Sequence, residues 1–149
     1  MTVEGVNGTR PVQDERIMAA ISHASIITSG FGIVAAAVIW LMQREKSNYV
    51  RFQALQALAY QFAGMLVTLL LWACWGCFYS LSFIPMIQRP QAYEDAPPLI
   101  FWISLGSTAI PLVIMGLWWL YGLYGGLRAL QGSDFRYFIL GPLVQRYLS

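Results

Sequence analysis

FQALQALAYQFAGMLVTLLLWACWGCFYSLSFIPMIQ, residues 52–88, runs for 37 positions without an acidic or basic side chain. Gln53, Gln56, Tyr60 and Gly64 fall at i, i+3, i+7 and i+11 and share one helical face, with Phe52, Leu55, Ala59, Phe62 and Leu66 on the other. A spanning helix needs only about 20 apolar residues to cross a hydrocarbon core about 30 Å thick, so the surplus must tilt or lie in the headgroup layer. The stretch reads as an amphipathic entry followed by a true span, which makes the chain an integral membrane protein.

Two further charge-free stretches flank it. Ile17–Gln43 is interrupted by Thr28-Ser29-Gly30-Phe31-Gly32, and glycines weaken a helix by about 1 kcal/mol each and mark kinks or turns. Either one kinked span or a re-entrant hairpin fits residues 17–43. Lys and Arg gather on the cytoplasmic side of membrane proteins. A hairpin places Arg10, Arg16, Arg44, Lys46, Arg51, Arg128, Arg136 and Arg146 inside against Arg89 outside, the more lopsided of the two distributions. It therefore favours a hairpin with both termini cytoplasmic, which needs the long helix or a partner as its lid, because broken backbone in lipid must be covered.

Residues 96–127 form the third stretch. Pro97 and Pro98 suit its first turn, and Pro111 favours a kink by freeing the Ser107 carbonyl, with Ser104 and Thr108 near enough to compensate. Trp118, Trp119, Tyr121 and Tyr124 toward one end and Trp102 toward the other read as interfacial belts. After Gly132 as a helix stop and Ser133 and Asp134 as N-cap candidates, residues 128–149 mix Phe138, Ile139, Leu143 and Tyr147 with Arg136 and Arg146, broken by Gly141-Pro142. This is either an amphipathic segment among anionic lipid headgroups or a tail docked on the protein's own loops. The expected fold is an all-α integral membrane protein of one domain. A polar tail (1–16), the kinked or re-entrant segment (17–43), two full spans (52–88 and 96–127) and an interfacial tail (128–149) make a small helical bundle.

Composition narrows the chemistry. At 58% hydrophobic, 11% charged and mean hydropathy +0.57, with a net charge of +2 and no basic patch, nothing invites nucleic acid. The N-terminus lacks a basic leader, so the first apolar stretch reads as retained. Asn7-Gly8-Thr9 fits a glycosylation pattern too frequent by chance to weigh. The carboxylates Glu4, Asp14, Glu15, Glu45, Glu94, Asp95 and Asp134 all fall in tails or loops, which argues against a charge-coupled transporter and against a hydrolase. No enzyme is expected. Cys74 and Cys77 are half of any zinc site at best and read as small packing residues.

His23 is the one ionisable group inside an apolar stretch. It either bonds the freed backbone near Ser29, or caps Gln53 and Gln56 when the hairpin folds over the long helix, or ligates a haem or chlorin metal. Gly122, Gly126 and Ala129 form a small-residue stripe for close helix packing, against this chain's own long helix or another protein's.

Glu15–Ala20 running into His23-Ala24-Ser25, then Ser47–Leu58, then Phe135-Arg136-Tyr137 resemble a family of small prokaryotic membrane proteins grouped with the twenty-kilodalton subunit of the chloroplast inner-envelope protein translocon. Members often carry His where this chain has Gln53, and Pro where it has Phe138. The resemblance implies a helical protein of the inner membrane, with first loop and C-terminus cytoplasmic, and a link to protein translocation. The residues themselves point first to a non-catalytic accessory subunit without a cofactor, its small-residue and glutamine-lined faces packing on integral membrane subunits of a larger complex such as a respiratory or photosynthetic assembly. A translocation or pore component is the alternative.

Overall fold

The computed structural model describes residues 10–28 and 30–148. Asn7-Gly8-Thr9, Glu4 and Ser29 lie outside them. All regular structure among the described residues is helical. The chain divides into two compact units, one up to Met65 and from Trp118 onward, the other Leu66–Leu117.

The first unit opens with α1, Gln13–Ala24. Its acidic first turn suits the positive end of the helix dipole, and Glu15 reaches back to accept a 2.9 Å bond from the Val12 N–H. Contrary to its placement in a polar tail, Glu15 is buried, and it also accepts a 2.5 Å bond from the Ser47 hydroxyl. A 3-10 turn, Ser25–Thr28, leads to α2, Gly30–Gln43. The Ser25 hydroxyl donates to the Ser22 and Gly32 carbonyls, and the Gln43 amide lies 3.1 Å from the Met18 sulfur. Residues 17–43 thus fold back on themselves as a helical hairpin. Gly32 permits the return, since a Cβ there would stand 2.1 Å from the Ser25 carbonyl oxygen and 2.6 Å from Gln61 Oε1.

Helix α3 runs Asn48–Leu81, beginning four residues before the charge-free run because Ser47 caps it, its oxygen 3.3 Å from the Val50 nitrogen. It does not reach Gln88. Pro85 has no N–H to offer the carbonyl four residues back, so the helix turns at Ser82 and resumes as α4, Ile84–Gln88. After a 3-10 turn at Pro90–Tyr93 come α5, Leu99–Gly106, and α6, Ala109–Leu130. Pro98 caps α5 from outside rather than sitting in its first turn. Pro111 starts α6 instead of kinking a continuous helix, and the Ser107 carbonyl is taken by the Ile110 N–H at 3.0 Å. Ser104, Ser107 and Thr108 bond back to carbonyls three residues earlier. Within the second unit, Trp75 donates to the Ser104 carbonyl, Trp72 to the Met115 sulfur, and rings of Trp75, Tyr79, Phe83 and Phe101 interleave.

Helix α6 ends at Gly132, whose φ of +75° belongs to the left-handed region. Ser133 and Asp134 cap no helix. Residues 133–137 carry no regular structure, 138 and 139 form a turn, and α7, Leu140–Leu148, follows with Gly141-Pro142 in its first turn, starting the helix rather than breaking the segment. The helical stretches 48–88, made of α3 and α4, and 99–130, made of α5 and α6, are long and apolar enough to cross a membrane; α2 is not, since 14 residues rise only about 21 Å. Of the expected aromatic belt, Trp102, Trp119, Tyr121 and Tyr124 are exposed, whereas Trp118 lies against Tyr60.

Candidate functional site

The core of the first unit is a buried polar network, and His23 of α1, Gln53, Gln56, Tyr60 and Gly64 of α3 and Gly122, Gly126 and Ala129 of α6 meet it or line its wall. The strap 133–138 has no neighbouring strand to satisfy its backbone, yet two of its residues are buried. Glutamine amides do that work. The Phe135 carbonyl accepts from Gln53 Nε2 at 3.1 Å and from Gln56 Nε2 at 3.0 Å, and the Tyr137 N–H donates to Gln56 Oε1 at 3.0 Å.

His23 closes the network from α1. Its Nε2 is 3.0 Å from Gln53 Oε1 and its Nδ1 is 3.0 Å from the Tyr137 hydroxyl. A neutral ring protonated on Nε2 satisfies both contacts, donating to the glutamine and accepting from the tyrosine. Burial pulls the His23 pKa from 6.5 to about 4, against a smaller raising effect of the Gln53 bond, so this neutral form holds at pH 7. Burial also lifts the Tyr137 hydroxyl well above its ordinary range, helped by Tyr60 and Tyr121. Both ring nitrogens are therefore engaged within the protein, and a haem or chlorin metal would have to displace one of these bonds.

Around this network the aromatic rings stack. Tyr60 lies parallel to Tyr137 at 4.0 Å and to Trp118 at 4.6 Å, and its hydroxyl donates to the Trp118 carbonyl. Gly64 gives Trp118 room, since a Cβ there would come 2.3 Å from the indole nitrogen. The small-residue stripe serves the same core. Gly122 faces Ile26 and Tyr60, Gly126 faces the Ala20 carbonyl and His23, and Ala129 is fully buried with its carbonyl bonded by Tyr49. Gln53, Gln56, Tyr60 and Gly64 are likewise buried by this chain. The surface left for other proteins or lipid lies elsewhere.

Several members of the site were not singled out from sequence. Gln61 donates to the Ser22 carbonyl and the Ser25 hydroxyl, bracing the hairpin, and a third glutamine in an apolar helix was its signal. Tyr137 was visible only as part of a short landmark. Arg136, beside it, pairs with Asp134, bonds Gln145 of α7 and lies over the Phe52 ring at 5.5 Å, fastening the strap from outside. Cys74 and Cys77 are exposed on α3 as free thiols.

Fold and site together define an all-helical protein with two helical stretches long and apolar enough to cross a membrane and a buried hydrogen-bond network built mainly on glutamine, histidine and tyrosine. The model of the magnetosome magnetite crystal formation protein family, MamF/MmsF, matches residues 14–144, and the chain belongs to that family. No curated protein and no solved structure matches it. The family assignment replaces the translocon-related grouping expected from the three landmarks, and with it the expected link to protein translocation. In this chain the three landmarks hold the Glu15–Ser47 bond, the His23–Gln53 contact and the strap. The family is one of crystal formation and not a known enzyme family.

Proposed function

We propose that the protein is a non-catalytic membrane subunit that acts where a magnetite crystal forms, packing its outward helix faces against transmembrane helices of other proteins. The observation that carries this reading is the family match, which runs from α1 into α7. Two features support it. Both ring nitrogens of His23 are engaged, by Tyr137 and by Gln53, and among the described residues no carboxylate bonds the ring, which favours a packing role over hydrolysis. On the second unit, Leu66, Leu69, Leu70 and Leu81 of α3 and Leu112 and Val113 of α6 point outward. In lipid such surfaces gain little from hydrophobicity and associate by shape and van der Waals contact.

In this reading the chain crosses the membrane twice, through residues 48–88 and 99–130. The α1–α2 hairpin re-enters from the cytoplasmic face, and the basic residues of the first loop and tail stay on that face. Helix α7 rests at the membrane surface. Ile139, Leu143 and Tyr147, one row at i, i+4 and i+8, are 70%, 55% and 76% exposed and enter the headgroup layer, with Arg146 toward anionic lipid.

Removing the gene from a magnetite-forming cell tests the proposal. Crystals of altered size or shape, restored by the intact chain, are expected; unchanged crystals would reject it.

A further inference from the structure

Tyr137, Tyr60 and Trp118 form a column of three stacked rings in the first unit, with centroids 4.0 and 4.6 Å apart and planes within 5° and 9° of parallel. Such stacking alone is ordinary core packing. The hydroxyl partners set one ring apart. Tyr60 donates to the Trp118 carbonyl and Tyr49 to the carbonyls of Ala129 and Ser133, none of which is a base. The Trp118 indole N–H has no acceptor among the described residues. Tyr137 alone of this column shares its proton with a basic nitrogen, His23 Nδ1 at 3.0 Å.

That difference governs what happens when an electron is removed. An oxidised phenol is a strong acid and persists as a neutral radical only when its proton has somewhere to go, so a hole placed on the column settles where a base stands. We propose that Tyr137 is a redox-active tyrosine, with His23 as its proton acceptor and Tyr60 and Trp118 as the stacked path by which an oxidising equivalent reaches it. The co-reactant is a one-electron oxidant of hydroxyl-radical strength, as forms when ferrous iron meets peroxide. The oxidant gains one electron and becomes hydroxide. Tyr137 loses that electron, its O–H bond breaks, and the proton forms a new bond to Nδ1, leaving a neutral tyrosyl radical beside an imidazolium whose Nε2–H still bonds Gln53 Oε1. A small thiol from solution returns the electron, leaving as a thiyl radical and giving its own proton to water, while the imidazolium of His23 returns its proton to the Tyr137 oxygen. His23 is neutral at pH 7 and so open to the proton beforehand. Tyr121, 5.3 Å from Tyr137 and 41% exposed, offers a second way in from the surface.

The source of oxidant rests on the reading of this protein as part of iron-oxide formation; the relay does not, and its test supplies the oxidant separately. The full chain in detergent is oxidised by a flash-generated ruthenium(III) polypyridyl complex, and the radical is followed by electron paramagnetic resonance and transient absorption. A persistent neutral tyrosyl signal is expected, lost in Tyr137→Phe and retained in Tyr124→Phe, an exposed neighbour. Trp118→Phe should slow its appearance. In the unaltered chain the oxidation should be slower in deuterated water yet indifferent to buffer-base concentration, because the acceptor is internal. That measurement holds even where a variant fails to fold. A signal that survives Tyr137→Phe, or a rate that climbs with buffer base, overturns the proposal, whereas unchanged crystals in the gene-deletion experiment would not.

Discussion

Replacing Gln56 by methionine keeps volume and helix propensity but removes the amide that holds the strap from both sides. Gln56 gives one bond to the Phe135 carbonyl and takes one from the Tyr137 N–H. The carbonyl keeps a second partner in Gln53, so its loss is modest. The Tyr137 N–H has no such reserve: the residue is buried, and an unsatisfied buried donor costs about 1–3 kcal/mol. For a chain of this size that corresponds to a fall in Tm of roughly 3–10 °C. Thermal unfolding in a mild detergent measures it, with Gln88→Met, at an exposed glutamine, as the reference. Hydrogen exchange at residues 135–137 should rise in the Gln56 variant alone. If the two variants melted together and the strap amides stayed protected, the idea that glutamine amides hold the strap would be refuted.

The histidine gives the pH dependence. Its folded pKa, about 4, lies below the ordinary 6.5, so the folded state prefers the neutral ring. Its contribution to stability is complete above pH 6.5 and declines as pH falls toward 4, by about 3 kcal/mol in total. His23→Gln should flatten that part of the pH profile, as the difference between the two melting curves will show. Gly126→Val should cost about 1–3 kcal/mol by overpacking against the Ala20 backbone, while Gly116→Ala, with open space around it, should stabilise by about 0.5–1 kcal/mol, both read from unfolding midpoints. A nitroxide label at Tyr147 should collide with oxygen more than with a water-soluble nickel chelate if α7 sits in the headgroup layer; the reverse preference would place it in water.

Much of this was legible in the sequence because the signals are local. Charge-free runs mark the helical stretches long and apolar enough to cross a membrane, and the small row Gly122, Gly126 and Ala129 and the polar row Gln53 and Gln56 mark faces that meet something. What they meet was not legible. His23 finds a hydroxyl 114 positions away, and no periodicity within a helix encodes a contact of that range. Glu15 looked like a tail residue because its neighbours are polar; only the fold brings Ser47 to it. The breaks at Ser82 and Ser107 were blurred because serine hydroxyls return bonds to the preceding turn, which lets apolar sequence run smoothly across a change of helix.

The central claim is that this chain offers its neighbours apolar helix faces while His23 and the glutamines Gln53 and Gln56 are bonded within its own first unit. Extracting it from its native membrane together with surrounding lipid, without detergent, and identifying what travels with it tests this most directly. The account predicts a fixed set of other integral membrane proteins, lost when bulky charged residues replace Leu69 and Leu70. A chain that emerges alone from the membrane in which crystals grow would contradict it.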